Sequence, residues 1–454
     1  MGKQFNHQNI NYIEMDLNLI NQTYSLMCHK SQNITNGKST LNDQVNQEQK
    51  NGNNIIGAIN GDFFNMSSGI PVCSNLINGE IFSTSLTKDE EIMRPCFTIF
   101  ENNRIDIDNY HFTGYINLID SNSYKTQINI DSINRSDYLE DTVNIFNCKD
   151  NEASTIFLPN NKEDALIISI IPNNKNTSFY NKNLISGKIK EIINDPPNIY
   201  KIKNDEIIVI SYDKKKALFN NAFIDMDVEI NFEIRKSSNY STPKIKHLLT
   251  GHEFILYDNQ ILPQNYFSRT WSQESTTSKN HRTALALTNR NTLLALTVDK
   301  KNDFKGMSLV ELAHFLKSRG AYKAINLDGG GSTSMMIREP GIHSLKYTNL
   351  PRENRLISNS IMITNKMPYT FDIENFYFHD SPKINSNESK KLNFVCYDKN
   401  FNPIDVYMLP NLKLSSNVGY FDSNYIFHPI NIPSKGTITI EVNNVIKTYD
   451  IEIK

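Results

Sequence analysis

The sequence predicts an α+β fold: a mixed β-sheet domain with few helices, followed by a C-terminal immunoglobulin-like β-sandwich. Three observations lead there. Most of the chain breaks into short runs rich in Ile, Val, Phe and Tyr, set between Asn, Asp, Gly and Pro, as strands and turns do. One segment, Met307 to Gly320, has the period and punctuation of a helix between two apolar strand runs. Beyond Pro368, strand-sized runs recur at regular spacing to the end of the chain.

In chain order, NYIEMDLNL (Asn11 to Leu19) alternates Ile13, Met15, Leu17 and Leu19 with polar neighbours and predicts a half-buried strand. Residues 32–54 are polar and low in complexity, which predicts a surface loop or a poorly ordered segment. IIGAI (Ile55 to Ile59) returns to an apolar strand. Residues 104–234 carry many β-rich runs, ALIISII (Ala165 to Ile171) and EIIVISY (Glu206 to Tyr212) among them, and predict antiparallel β structure or an inserted β-rich subdomain. The helix is the clearest local element. Ser308 and Glu311 form a capping box, Leu309, Leu312, Ala313 and Leu316 share a face, and Gly320 supplies a left-handed stop. With TLLALTVDK (Thr292 to Lys300) before it and YKAINLDGGGS (Tyr322 to Ser332) after it, the unit predicts two parallel neighbouring strands joined by a crossover helix. FDIENFYF, KLNFVCYD, GTITIEV and VIKTYDIEI then make the second domain. The expected boundaries are 1–367 and 368–454.

Composition narrows the function. A net charge of −2 and the lack of any long Lys or Arg run remove the electrostatic footprint of nucleic-acid binding. The most basic cluster, Lys214 to Lys216, reads as a solvated turn. No stretch of 18 apolar residues predicts a membrane span. The five cysteines are scattered without metal-ligand spacing, though Cys73 and Cys96 could pair. No basic, then apolar, start suggests a signal peptide.

Three blocks carry chemistry. In AINLDGGGS (Ala324 to Ser332) an apolar strand ends in Asp328, and Gly329, Gly330 and Gly331 let backbone amides approach an anion. In AINGDFFN (Ala58 to Asn65) Asp62 stands beside Phe63 and Phe64, surroundings that raise a carboxyl pKa. In NHRTALAL (Asn280 to Leu287) Arg282 could fork two phosphate oxygens.

The order of these blocks, with VD at Asp299 and RLISNS (Arg355 to Ser360) after the glycines, resembles the phosphodiester glycosidase family. The resemblance implies a glycoside hydrolase that cleaves the anomeric bond of a sugar 1-phosphodiester such as an N-acetylglucosamine-1-phosphodiester. It implies Asp62, Asp328 and Arg282 as catalytic residues. For substrate binding it implies Asn60, Gly61, Phe63, His281, Thr283, Asp299, Asn326, Gly329, Gly330, Gly331, Ser332, Thr333, Arg355 and Asn359. The chain departs from the family pattern at LLTGHEFIL (Leu248 to Leu256) and at the Lys-Lys pair after Asp299. An exo-glycosidase acting on a phosphate-free cell-wall or capsular polysaccharide stays open, as does a carbohydrate-binding protein without catalysis. No cofactor and no metal are expected, with a divalent cation such as calcium at the Asp cluster left open. The expected partner is a carbohydrate or glycosyl phosphate, and the resemblance implies a secreted or cell-surface protein.

Overall fold

The computed structural model describes residues 8–85, 94–135, 140–148, 155–158, 165–237, 243–263, 277–301, 303–370, 372–378, 383–409, 411–443 and 445–454. They fall into two units, Met1–Met336 with Tyr347–Thr364, and Ile337–Lys346 with Asn365–Lys454. The chain is mostly β, with large mixed sheets.

The site rests on eleven strands and two helices: β1 (Asn9–Asp16), β2 (Tyr24–Lys30), α1 (Leu41–Lys50), β3 (Ile55–Asn60), β4 (Phe254–Tyr257), β5 (Gln260–Ile261), β6 (Arg282–Thr288), β7 (Thr292–Asp299), α2 (Leu309–Ser318), β8 (Ala321–Leu327), β9 (Met335–Arg338), β10 (Leu345–Tyr347) and β11 (Asn359–Asn365). One sheet has the order β1-β7-β6-β8-β4-β5, the other β2-β11-β3-β9-β10. Leu285 and Leu287 of β6, Ile325 and Leu327 of β8, Ile59 of β3 and Ile361 of β11 belong to one core cluster, so the two sheets share it. Successive strand residues point to opposite faces. Ala284 and Ala286 therefore face the other way, onto Leu309, Leu312 and Leu316 of α2. The capping box forms as expected, Ser308 Oγ accepting Glu311 N–H at 3.2 Å, and Gly320 takes φ +86.

Two expectations are corrected. The strands flanking α2 are not neighbours, because β6 lies between β7 and β8 and pairs antiparallel with both. Residues 32–54 are not all loop: Leu41–Lys50 is helical, capped by Thr40 and Asp43. Its buried face is Leu41, Gln44, Val45 and Glu48, a helical spacing in which two positions are polar. They are paid for by specific bonds. Gln44 donates to Ile357 O at 3.1 Å and accepts from Ser360 Oγ at 2.7 Å, and Glu48 Oε1 lies 2.7 Å from His29 Nδ1.

Most strands from 104–234 join a twelve-stranded sheet that also contains Asn75–Ile77, Pro95–Phe100 and Ile245–Thr250. Val228, Ile230, Phe232 and Ile234 are buried at every second position, as one covered face requires. Lys214 to Lys216 sit in a short 3₁₀ turn, and Cys73 and Cys96 are unpaired buried thiols. The second unit has three small sheets around Phe376, Cys396, Phe427, Ile438 and Ile440.

Candidate active site

The site begins where β3 and β8 end. Asp328 N–H donates to Gly61 O at 3.2 Å, and Asn60 Nδ2 donates to Asp328 O at 2.7 Å. The fold thus brings the Asp62 and Asp328 blocks together. Asn60 Oδ1 also accepts from Thr283 Oγ1 at 2.9 Å and Ser334 N–H at 3.1 Å, and Thr283 Oγ1 reaches Thr333 Oγ1 at 3.3 Å. Asn60, Thr283 and Thr333 form a buried strut under the glycine loop.

Asp62 is gripped from both sides by Asn359. Its N–H donates to Asn359 Oδ1 at 2.9 Å, while Asn359 Nδ2 donates to its carboxylate. Glycine at 61 is required by this approach, since a β-carbon there would meet Asn359 Oδ1 at 1.9 Å. Asn75 Nδ2 donates to the other carboxylate oxygen at 3.2 Å. Burial pushes the Asp62 carboxyl up to about 7, against the opposing pull of Asn359, Asn75, the buried charge of Lys30 and Thr250 N–H. Lys30 is wholly buried and donates to Gly37 O at 2.8 Å and Ser358 O at 3.3 Å. Cys28, Cys73 and Cys96, all buried thiols that feel the Asp62 charge, crowd the same place. Phe63 is half-buried and meets His252 edge-on at 5.4 Å, and burial pushes the His252 imidazole down to about 2, so it is neutral.

Asp328 is half-buried. Burial lifts its carboxyl to about 6, opposed by a hydrogen bond from Ser332, the charge of Arg355 and the Gly329 N–H. Ser332 Oγ in turn accepts from Arg355 Nε at 3.2 Å and Nη2 at 3.1 Å. Gly330, at φ +54, donates its N–H to His281 O at 3.1 Å. The expected cradle of three glycine amides is therefore partly used by the loop itself: Gly329 N–H serves Asp328 and Gly330 N–H serves His281.

Arg282 adjoins the glycine loop through its backbone, a β-carbon on Gly329 coming 3.8 Å from its Cα. Thr283 is on the face with Asn60, so alternation sends Arg282 to the α2 face, where Nε donates to Met307 O at 3.0 Å and Nη2 to Ser278 O at 2.9 Å. Burial lowers its guanidinium to about 10. Asp299 is fully buried and accepts from Asn9 Nδ2 at 2.7 Å, Asn349 Nδ2 at 3.0 Å and Leu350 N–H at 3.0 Å. Burial would raise its carboxyl, but His281, Asn349 and Leu350 outweigh burial and hold it low. His281 Nδ1 accepts Lys300 N–H at 3.0 Å and stands 3.8 Å from Asp299 Oδ1. Asn326 exchanges backbone bonds with His252 and Glu253, and its Oδ1 has no partner among the described residues.

One residue was not legible as part of the site. A β-carbon on Gly331 would meet Arg352 Cδ at 3.4 Å, Arg352 Nη1 at 3.7 Å and Arg355 Cζ at 3.8 Å, so two guanidinium groups lie over one glycine. Arg352 has no motif neighbour that marks it; only the packing reveals it. Among the described residues no group of three or more His, Cys, Asp and Glu side chains is arranged to hold a metal ion, and no helix is long and apolar enough to cross a membrane.

No curated protein matches the sequence. Solved structures do. A hypothetical protein from Synechocystis aligns with TM-score 0.59 and 14% identity over 79% of this chain and 59% of its own, so the chain spans under two thirds of that relative. A putative exported protein from Burkholderia pseudomallei K96243 aligns with TM-score 0.57 and 14% identity over 79% of this chain and 74% of its own. The catalytic domain of zebrafish N-acetylglucosamine-1-phosphodiester alpha-N-acetylglucosaminidase, auto-inhibited by its pro-peptide, aligns with TM-score 0.38 and 13% identity over 80% and 85% of the two chains. The first two similarities establish a shared fold. Residues 150–364, which include Arg282, Asp328, Arg355 and Asn359 but not the Asp62 block, match the model of the phosphodiester glycosidase family, and it is this family that the chain resembles.

Proposed function

We propose that the chain is a glycoside hydrolase that cleaves the anomeric C–O bond of a sugar 1-phosphodiester. One observation carries the reading. Two carboxyls lifted by burial to about 7 and about 6 stand on loops that are hydrogen bonded to one another. Between about pH 6 and pH 7 the commonest state of such a pair carries one proton, as acid and base work requires. Asp328, the more accessible of the two, is the carboxylate that attacks C1 or activates water. Asp62 holds and delivers the proton. Arg355, fixed by Ser332, faces the negative charge of the departing phosphate. Asn60, Thr283, Thr333 and Asn359 position the two carboxylates, while Phe63 offers the sugar an apolar wall.

The family match supports an N-acetylglucosamine-like sugar as the first substrate to try. Residues 368–454 are read as an immunoglobulin-like β-sandwich accessory to a catalytic part spanning 1–367; three small sheets sharing one apolar core support this. Turnover of a sugar 1-phosphodiester, measured beside a nitrophenyl glycoside of the same sugar, tests the function. Cleavage of the first supports it, and cleavage of only the second assigns an ordinary exo-glycosidase.

A further inference from the structure

We infer that Arg352 and Arg355 form a two-armed clamp for the phosphate group of the substrate, with Arg352 as the arm that sets the preference for anionic aglycones. The inference rests on the phosphodiester reading above and names a binding residue that the sequence blocks leave out. The two arginines are placed by one turn. Leu350 N–H is anchored on the buried Asp299 carboxylate at 3.0 Å, and Arg355 N–H returns to Arg352 O at 3.4 Å, with Asn354 at φ +50. That turn brings both side chains over Gly331, where a β-carbon would come into van der Waals contact with Arg352 Cδ at 3.4 Å and Arg355 Cζ at 3.8 Å.

The two arms differ in what already occupies them. Arg355 is half-buried, donates twice to Ser332 Oγ, and is balanced in part by Asp328. Arg352 is exposed, and no carboxylate forms an ion pair with it among the described residues. Two like charges held against one glycine, with a carboxylate acting on Arg355 alone, are an unbalanced site. An anion with several oxygens relieves that imbalance, and planar guanidinium groups match a phosphate in geometry. Asp328 lies on the same loop, so an anion held there keeps its bridging oxygen beside the carboxylate that works at C1.

Binding of inorganic phosphate, followed by calorimetry on the full chain, tests the clamp without any turnover. Wild type binds phosphate, and Arg352→Gln weakens that binding about tenfold, the loss expected for one charge-assisted hydrogen-bonded arm. The same variant raises KM for a sugar 1-phosphodiester more than for an uncharged aryl glycoside, while its melting temperature stays at the wild-type value because the side chain is exposed. Phosphate binding equal in wild type and Arg352→Gln overturns the clamp, as does a wild type that binds no phosphate. Loss of phosphate binding in Arg352→Gln with no phosphodiester turnover by wild type supports the clamp and sinks the hydrolase reading. Normal phosphodiester kinetics in Arg352→Gln sinks the clamp and leaves that reading standing.

Discussion

Asn60 Nδ2 donates to the backbone oxygen of Asp328 at 2.7 Å across 268 residues of sequence, so one carboxylate block is fastened directly to the other. Asn60→Ala removes that donor, leaves Ser334 N–H without its acceptor and leaves Thr283 Oγ1 with Thr333 Oγ1 alone. The expected cost is about 2–4 kcal/mol, since buried groups lose their partners. Urea unfolding measures it. Activity at a temperature where the variant stays folded should still fall, because only the Asp328 N–H to Gly61 O bond is left to tie the two loops.

The pH dependence of stability follows from Asp62. Its folded pKa, about 7, is above the unfolded value of 3.8, so between these pH values the native state binds more protons than the unfolded one. The stability this proton contributes is complete below about pH 4 and is lost as pH rises through about 7. Asp62→Asn removes the ionisation, so the variant should be more stable than wild type at pH 8, by about 2–4 kcal/mol, and similar to it at pH 4. The amide fits: Asn75 Oδ1 is buried without a hydrogen-bond partner, and turning the Asn75 amide lets it accept from the new side chain. Thermal melts at the two pH values decide the point; a destabilised variant at pH 8 would contradict the assigned burial cost.

Arg282 and Arg355 separate by kind of loss. Arg282→Lys should lower stability by about 1–3 kcal/mol, because Met307 O and Ser278 O lose a two-armed donor, with little selective change in KM. Arg355→Lys should instead raise KM for a phosphodiester. Paired denaturation and steady-state kinetics on the two variants check the assignment. A selective KM effect of Arg282→Lys on the phosphodiester would return it to the substrate side.

These residues also show where the sequence stops informing. Asp62 and Asp328 are legible because a carboxylate at the end of an apolar strand beside glycine is a local pattern. The side of β6 that Arg282 takes is not local. It depends on Leu285 and Leu287 facing the second sheet while Ala284 and Ala286 face α2. Helix α2 is legible from Ser308, Glu311 and four apolar residues, whereas α1 writes half its buried face in Gln44 and Glu48. Those two are tolerated inside only by bonds to Ile357, Ser360 and His29, partners that composition does not announce.

Helix α1 gives a further check. Thr40 Oγ1 accepts Asp43 N–H at 3.1 Å, so Thr40→Ala should destabilise the chain by about 1 kcal/mol. Hydrogen exchange should then quicken first in Leu41–Lys50. Unchanged exchange there would mean that burial of Leu41 and Val45 alone fixes the helix.

The central claim is that Asp328 and Asp62 work as a carboxylate and acid pair on a sugar 1-phosphodiester. The direct measurement is the pH–rate profile of wild type, Asp328→Asn and Asp62→Asn on an N-acetylglucosamine-1-phosphodiester. Wild type should give a bell with limbs near 6 and 7, rising as Asp328 ionises and falling as Asp62 loses its proton. Asp328→Asn should cut kcat at least about a hundredfold, and Asp62→Asn should remove the alkaline limb at a reduced rate. Near-wild-type turnover by a folded Asp328→Asn protein would contradict the account, leaving Asp328 as a loop residue and the chemistry elsewhere.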